Sequence, residues 1–325
     1  MADKLQLWET FDKFSVFFGG YRNLLAVLGF AWAAKTSLCF CLSLLNGLRV
    51  YVLARLLAGK DLSSKYGGKW AVVTGASDGI GKAFARELAK YGMNIILISR
   101  TTPKLERAAK EIETEFHVQT YVITTDFSRQ DIYRGIAREL EQFDVGILVN
   151  NVGVMYDYPQ LLLDVPEKRL WELFNINMAA TTMMTCVVLP QMVKRKNGAI
   201  INMSSCAAQQ PTPQMTVYAA TKAFVDHFSR ALAYEYSSDG ITVQSLRPYY
   251  VASAMTYHTK PNLAIPSPET YVCHALPTLG VSKRNCGYWC HAIQSWILGF
   301  VPESLWMFGA TILNNEIRRR VSHQQ

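Results

Sequence analysis

The chain has 325 residues, which is enough for one large α/β domain with attached segments or for two small domains. Half of the residues are hydrophobic, and 33 Lys and Arg against 25 Asp and Glu give a net charge of +8. The sequence contains no nucleic-acid-binding motif, and its seven scattered cysteines argue against a disulfide framework.

The first feature along the chain is an apolar stretch at 24–57, interrupted by Lys35. Charge-free runs of 12 and 13 residues flank this lysine, whereas a clean membrane-spanning helix needs about 20 residues. The stretch is therefore either one imperfect transmembrane anchor or a helical hairpin lying in the membrane interface. We assign residues 1–66 to this membrane-associated or targeting segment.

Basic residues follow the apolar stretch and favour an anionic membrane surface as its neighbour. If the segment spans a membrane of the secretory pathway, they predict that the next domain stays on the cytosolic side. The acidic residues near the N-terminus make a mitochondrial presequence a poor match. The basic series is Arg49, Arg55, Lys60, Lys65 and Lys69, and the acids are Asp3, Glu9 and Asp12.

From Trp70 onwards, short apolar runs alternate with amphipathic segments. Six strands are predicted, at "WAVVTG", "NIILIS", "QTYVITTD", "VGILVNN", "GAIINMSS" and "ITVQSLRP". Helices are predicted between them, among them 129–142, 167–194 and one that ends near Ser237. This alternation indicates right-handed crossovers and a parallel sheet covered on both faces. We therefore predict an α/β fold with a single Rossmann-type, doubly wound sheet at 67–260.

After Pro248 the pattern loosens, and we assign 261–325 to a substrate lid and C-terminal apolar helices. Three prolines within 255–268 suit a mobile loop over an active site. Residues 287–313 form two aromatic-rich apolar segments, which could pack against 24–57, touch a membrane or line a substrate mouth. Cys286, Cys290 and His291 could be drawn as metal ligands, but zinc-like spacing is missing elsewhere, so we expect no metal.

The motif "TGASDGIG" at 74–81 follows the first predicted strand and opens a helix, as a dinucleotide-binding turn requires. Its glycines would permit the tight turn, the close approach of a pyrophosphate and the packing of helix on strand. The helix N-terminus would supply free N–H groups for phosphate. The alternative is a mere tight turn. The predicted cofactor contacts here are Gly75, Ala76, Ser77, Asp78, Gly79, Ile80 and Gly81.

Three further positions follow strands and bear on the nucleotide. Arg100 stands where a NAD site usually carries a carboxylate, and arginine favours the 2′-phosphate of NADP; the alternative is an arginine that only faces solvent. Asp126 would accept a hydrogen bond from the adenine amine, cap the next helix, or do both. In "NNVG", Asn150 and the Gly153 backbone would lie beside the adenosine ribose, unless the segment is a simple Asx turn.

Tyr218 and Lys222 are four residues apart in a predicted helix and so share one face. A nearby ammonium makes a phenol easier to ionise, and Ser205 could hold a substrate oxygen beside it. Asn177 lies inside a predicted helix, where asparagine is unfavourable, so it is either exposed or has a buried task. A lone Tyr-x-x-x-Lys spacing arises by chance, and the phosphate-binding turn gives it weight.

Together these motifs resemble the short-chain dehydrogenase/reductase family over residues 68–260. "LISRT", "DVGILVNNVG", "AFVDHFSRALAYEY" and "PYYVASAMT" are similar to the 17-beta-hydroxysteroid dehydrogenases of types 3 and 12, which include very-long-chain 3-oxoacyl-CoA reductases. The chain ends resemble the hydroxysteroid dehydrogenase-like group. The loop "RPYYVAS" departs from the wider family, which often has Pro-Gly and Thr there.

The resemblance implies a role for each matched residue. Tyr218 would donate the proton in reduction and accept it in oxidation, and Lys222 would bind the nicotinamide ribose and favour tyrosinate. Ser205 would hydrogen-bond the substrate oxygen, and Asn177 would hold a water that links Lys222 to solvent. Val251 and Ser253 would contact the nicotinamide carboxamide.

The resemblance also implies an NADP(H)-dependent oxidoreductase acting on a hydrophobic ketone or alcohol of steroid, retinoid or long-chain 3-oxoacyl type. The alternative is a catalytically idle, NADP-binding, membrane-associated protein, because some hydroxysteroid dehydrogenase-like members carry Phe at the position of Tyr218 and are regarded as inactive. Mitochondria are the implied location, with the endoplasmic reticulum membrane as the alternative. Relatives of this fold are often dimers or tetramers, so a homo-oligomer is a further expectation.

Overall fold

The computed structural model describes residues 2–57, 59, 61–256 and 259–322, so Lys60 of the basic series lies outside the described residues. The chain divides into two units between Arg49 and Val50. The first is helix α1 (Ala2–Leu48), which runs without a break and does not form the hairpin that the sequence left open. A π-helical turn (Arg49–Leu53) and the short helices α2 (Ala54–Leu56) and α3 (Leu62–Tyr66) follow.

The second unit contains one seven-stranded sheet in the order β3-β2-β1-β4-β5-β6-β7, and every neighbouring pair is parallel. This confirms the predicted fold class and all six predicted strands. The sequence missed β7, which has only two residues and therefore no readable alternation. The strands are β1 (Trp70–Thr74), β2 (Asn94–Ser99), β3 (Thr120–Thr124), β4 (Val145–Asn150), β5 (Gly198–Met203), β6 (Ile241–Leu246) and β7 (Arg284–Asn285).

Helices cover both faces of the sheet, because successive strand residues point to opposite sides and both sides are apolar. In β1, Ala71 and Val73 belong to one buried layer, whereas Val72 belongs to the other. The covering helices are α4 (Gly79–Lys90), α5 (Thr102–Phe116), α6 (Tyr133–Leu140), α7 (Glu167–Leu173), α8 (Ala180–Arg195), α9 (Thr216–Glu235) and α10 (Pro268–Ala275).

Two predicted helices differ from the observed ones. The helix expected at 129–142 begins only at Tyr133, because Asp126 organises a turn in which its carboxylate accepts the N–H of Ser128 at 3.0 Å. The helix expected at 167–194 is α7 and α8 joined by a π-helix at Phe174–Ala179. Such local widening is rare and frequently occurs at functional sites.

The C-terminal apolar segments form α11 (Trp289–Leu298) and α12 (Glu303–Ser322), which bend by 117° at the break that contains Pro302. By length and composition, Tyr21–Leu56 could cross a membrane, and none of its apolar window is buried. Glu167–Arg195 also passes that test, but half of its window is buried against the sheet, which identifies it as a helix of the fold.

Candidate active site

A cavity of about 810 Å³ lies at the carboxyl ends of the strands, within the size range of cofactor and ligand sites. Residues that follow each of β1 to β6 line it, so one edge of the sheet supplies its floor. In an open parallel sheet this edge is where ligands bind.

The glycine-rich turn forms one end of the cavity. Gly75 and Gly79 have φ of +66° and +53°, a region that glycine adopts at little cost. The Asp78 carboxylate accepts the N–H of Gly79 at 2.7 Å and caps α4. A Cβ atom on Gly81 would lie 2.1 Å from the Gly75 carbonyl oxygen, so helix and turn touch here. Of the predicted contacts in this motif, all but Ala76 and Gly81 line the cavity.

Arg100 and Asp126 both line the neighbouring part of the cavity. Arg100 is exposed at the rim, and the hydroxyls of Ser77 and Ser99 lie 3.1 Å apart beside it. The hydrogen bond from the Ser128 N–H lowers the pKa of Asp126. Asp126 does not cap α6, which starts seven positions later at Tyr133. No acidic residue ends β2, and the positive charge of Arg100 is shared here only in part with Asp126, so this end of the cavity can accept an anion.

The two asparagines that follow β4 have different tasks, and the structure places Asn150 away from the cavity. Its side chain is buried and donates to Thr185 Oγ1 at 3.1 Å and Asn202 Oδ1 at 2.9 Å. Asn151 lines the cavity instead, and its amide donates to the carbonyl oxygens of Thr74 and Gly75. The ribose contact expected of Asn150 therefore has no geometric support, because strand alternation turns its side chain into the protein.

Tyr218 and Ser205 meet at the middle of the cavity, and both are buried. Burial raises the pKa of Tyr218 to about 12, although a hydrogen bond with the Ser205 hydroxyl acts in the opposite direction. The sequence predicted an easier ionisation from the neighbouring lysine. The direction is reversed because loss of water disfavours the phenolate more than its surroundings favour it.

Lys222 lies one turn along α9 from Tyr218, with its Nζ 5.9 Å from the phenol ring centroid. The ammonium donates to the Met203 carbonyl oxygen at 3.0 Å. Burial lowers the pKa of Lys222 to about 8. A lysine poised near neutrality in a cavity is typical of functional sites.

Of the two alternatives left open for Asn177, exposure or a buried role, the structure shows burial. It lies in the π-helix, and its amide donates to Val154 O at 2.9 Å and Thr221 Oγ1 at 3.0 Å. Its Oδ1 accepts the N–H of Val154 at 2.9 Å. A Cβ atom on Gly153 would lie 3.2 Å from Lys222 Nζ and 3.4 Å from Asn177 Oδ1, so the missing side chain leaves space where these two polar groups face each other.

The loop after β6 lies against the glycine-rich turn. Val251 and Ser253 line the cavity, and the Ser253 Cβ lies 3.5 Å from where a Cβ on Gly79 would be. His291 fixes this loop, because its Nδ1 accepts the Tyr249 N–H at 3.3 Å and its Nε2 donates to the Ala264 carbonyl oxygen at 3.2 Å. Burial lowers the pKa of His291 to about 4. Among the described residues, no cluster of His, Cys, Asp and Glu is arranged as a metal site.

The cavity has a further wall, opposite the sheet. The helices α11 and α12 supply it, through apolar side chains that include Leu298, Val301, Leu305 and Leu313. Residues of the 287–313 segment thus line the cavity, which is compatible with the substrate mouth that was one of the three alternatives for it.

The 209–214 loop, defined as the segment between Ser205 and α9, is tied to that wall. Gln210 donates to the carbonyl oxygens of Leu298 and Val301 at 3.0 Å each. Gln209 donates to Ser295 O at 2.9 Å, and Gln214 donates to Asn315 Oδ1 at 2.7 Å. In the sequence, only the three glutamines of "QQPTPQ" indicate that this loop forms side-chain hydrogen bonds with another part of the chain.

Known proteins resemble this chain in sequence and fold. The family model for short chain dehydrogenases matches residues 69–264. Human inactive hydroxysteroid dehydrogenase-like protein 1 is 48% identical over 304 residues, 92% of each chain. The very-long-chain 3-oxoacyl-CoA reductase of Anas platyrhynchos is 47% identical over 282 residues, 86% of this chain and 89% of the relative. A solved short-chain dehydrogenase from Sphingobium yanoikuyae in complex with NADPH is 28% identical, with a TM-score of 0.57, covering 62% of this chain and 80% of that one.

Proposed function

The chain belongs to the short-chain dehydrogenase family, and from that premise we propose that it is an NADP(H)-dependent oxidoreductase. It would interconvert a hydrophobic ketone and its alcohol, of steroid, retinoid or long-chain 3-oxoacyl type. One observation carries the proposal. The buried Tyr218 phenol, the Ser205 hydroxyl and Lys222 share a single cavity with a glycine-rich turn suited to phosphates.

The residues present fit NADP. The turn at Gly75 and Gly79 and the start of α4 would hold the pyrophosphate, and Arg100 would pair with the 2′-phosphate. Lys222 and the loop at Val251 and Ser253 would hold the nicotinamide end. When bound, this cofactor supplies or accepts the hydride at the substrate carbon.

The chain's own residues would control the proton and the orientation of the substrate. In reduction, the Tyr218 phenol donates its proton to the carbonyl oxygen, while the Ser205 hydroxyl holds that oxygen in place. Lys222 is the nearest buried cation and stabilises the phenolate left behind. Asn177, facing Lys222 across Gly153, would hold a water through which the proton returns from solvent. In oxidation the same groups act in reverse.

A second candidate function is an idle, NADP-binding protein. The observation in its favour is that the human relative, 48% identical, is named inactive. This chain retains a tyrosine at 218, which lines the same cavity as Ser205, so a candidate acid is present. A ligand that binds only the folded state raises its stability, and NADPH should do so under either hypothesis.

The test is consumption of NADPH by the purified full chain with a panel of steroid, retinoid and 3-oxoacyl-CoA ketones. Turnover with any of these supports the reductase. Thermal stabilisation by NADPH without turnover across the panel supports the idle alternative.

We expect Arg100→Asp to reverse the choice of cofactor. A carboxylate repels the 2′-phosphate and hydrogen-bonds the 2′-hydroxyl of NAD, so Kd for NADPH should rise about tenfold to a hundredfold. Kd for NADH should fall or stay level. Fluorescence titration of both nucleotides measures this.

Arg107→Asp is the matched control, since Arg107 is an exposed arginine on α5 that pairs only with Glu111 and lies outside the cavity. It should leave the NADPH preference unchanged. If Arg100→Asp behaves like Arg107→Asp, then Arg100 faces solvent and does not select the nucleotide.

The lowered pKa of Lys222 predicts two pH effects. The kcat/KM for ketone reduction should stay constant below pH about 8 and decline above it, as Lys222 loses its charge.

The free energy of unfolding should change in the opposite direction. Between pH about 8 and 10.5 the unfolded chain keeps the proton that the folded chain releases, so the free energy of unfolding rises with pH. Lys222→Met should remove this rise, and an unchanged pH profile of stability in that variant would refute the assignment.

We also propose membrane association through Tyr21–Leu56, which is apolar enough to span a bilayer. Mitochondria remain the proposed location on family grounds, with the endoplasmic reticulum membrane as the alternative. Imaging a C-terminally tagged full chain against markers of both organelles distinguishes them. A homo-oligomer remains an expectation that cross-linking in the membrane would test.

A further inference from the structure

The bent helix pair α11–α12 presents a second apolar surface beyond the one that walls the cavity. On this outer face, Trp296, Ile297, Phe300, Phe308 and Ile312 are 43–69% exposed. Contiguous exposed side chains of this size mark an interaction surface rather than ordinary surface variation. We call these five residues the outer face.

The cavity opens onto the outer face. Leu305 and Leu313 line the cavity, yet they are 59% and 56% exposed. They are about two turns apart on α12 and so lie on one face of it, and we take the exposed stretch between them as the opening of the cavity. Gly309 lies between them, also lines the cavity, and has nothing within 4 Å of where its Cβ would be. This part of the cavity lining is therefore apolar and exposed, and it lies on the same helix as Phe308 and Ile312 of the outer face.

The dimensions suit a surface-lying element. The pair is as apolar as a membrane span but bends by 117°. Helix α11 has 10 residues, or about 15 Å, which is half of a hydrocarbon core of about 30 Å. Helix α12 has 20 residues, but Glu316 and three consecutive arginines occupy its last two turns and leave too few apolar residues to cross alone. A short, bent, apolar pair of this kind can lie in the interface without crossing it.

The charges close to the outer face indicate whether it contacts a lipid bilayer or a second copy of this chain. Arg318, Arg319 and Arg320 follow Leu313 by five to seven residues, about 8–10 Å further along α12. Arg318 and Arg320 form ion pairs with the side chains of Asp164 and Glu316, which are 45% and 50% exposed, and such pairs exchange partners at little cost. A helix that lies in the interface holds such basic residues at the level of the lipid phosphates. A second copy of this chain packed on the outer face would instead bring its own arginines close to these, and the like charges would repel.

We propose that the outer face docks on a lipid bilayer containing anionic lipids. The opening between Leu305 and Leu313 then faces the acyl chains, and Arg318–Arg320 contact the phosphates. A hydrophobic ketone enters from the lipid layer and returns to it as the alcohol without crossing water. This last statement rests on the proposed function, whereas the docking does not.

The test places an environment-sensitive fluorescent amino acid at one position of the full chain in vesicles of phosphatidylcholine with a minor share of phosphatidylserine. The lipids carry nitroxide quenchers on their acyl chains. In one variant the probe replaces Phe308, and in the control it replaces Tyr234, which is 83% exposed on α9. Because α1 would keep both variants on the vesicles, quenching reports depth rather than binding.

We expect the probe at 308 to be quenched several-fold more strongly than the probe at 234. Charge reversal by Arg319→Glu with Arg320→Glu should reduce that difference in phosphatidylserine vesicles and leave it unchanged in phosphatidylcholine alone. Equal quenching at both positions overturns the proposal. A second outcome also overturns it. If, in detergent, the probe at 308 becomes more shielded from water as the protein concentration rises, then a second copy of the chain covers the outer face.

The readout needs no turnover, which separates the two proposals. A chain without reductase activity can still show deep quenching at 308, and an active chain can still fail to show it. Thermal unfolding of each labelled variant confirms that it is folded, which the high exposure of Phe308 and Tyr234 favours.

Discussion

Tyr218→Phe should lower kcat for ketone reduction by about 10²–10⁴-fold, the usual contribution of a positioned general acid. Phenylalanine keeps the ring in its buried place and removes only the proton that the carbonyl oxygen must receive. Binding of NADPH should persist, because the phosphate-binding turn is untouched. Steady-state kinetics with the best ketone of the panel, together with NADPH titration, measure both quantities.

Tyr234→Phe is the matched control on the same helix, since Tyr234 is exposed and lies far along α9 from the cavity. It should leave kcat and stability unchanged. If Tyr218→Phe retains most of the parental kcat, the proton comes from elsewhere and the proposed role of Tyr218 is wrong. A loss of NADPH binding would instead indicate that the substitution disturbs the cavity.

Gly81→Ala should weaken NADPH binding by about tenfold or more and reduce the free energy of unfolding by about 1–3 kcal/mol. The added Cβ would lie 2.1 Å from the Gly75 carbonyl oxygen and 2.4 Å from Asn151 Nδ2, both of which are held in place. Helix α4 must then move away from the turn, and the N–H groups at its start lose their alignment. Fluorescence titration and chemical denaturation measure the two effects.

Gly135→Ala provides the opposite expectation from the same substitution. Gly135 lies in α6, and nothing is within 4 Å of its Cβ position. Alanine should therefore stabilise the protein by about 0.5–1 kcal/mol through helix propensity, with NADPH binding unchanged. If both variants behave alike, close packing at Gly81 does not set the geometry of the turn.

Much of the fold could be predicted from the sequence because it is encoded locally. The alternation of Ala71, Val72 and Val73 between two apolar layers is a property of consecutive residues, and so is the glycine spacing at 74–81. The shared face of Tyr218 and Lys222 follows in the same way from helical geometry.

What the sequence could not supply depends on exact element boundaries, on local irregularity, or on residues far apart in the chain. The side on which Asn150 or Asn151 points is decided by where β4 ends, a matter of one residue. The pKa of Tyr218 depends on burial contributed by several elements. The wall formed by α11 and α12 is held by Gln210, some 90 positions away along the chain. The π-helix that turns Asn177 inward has no periodic signature.

The 209–214 loop has a consequence for descent and for engineering. Ser205 lies four residues before this loop, and the loop leads into α9, the helix of Tyr218. Gln209 and Gln210 donate hydrogen bonds to backbone carbonyl oxygens of the C-terminal helix pair and its bend. The positions of the reacting groups and of the entrance therefore depend on the same loop. Chimaeras that exchange residues 289–322 alone should misplace Ser205, whereas exchanging 209–214 along with them should restore it. Because the side chains of Gln209 and Ser295, and of Gln214 and Asn315, are hydrogen-bonded to each other, substitutions at these positions should occur in pairs across relatives.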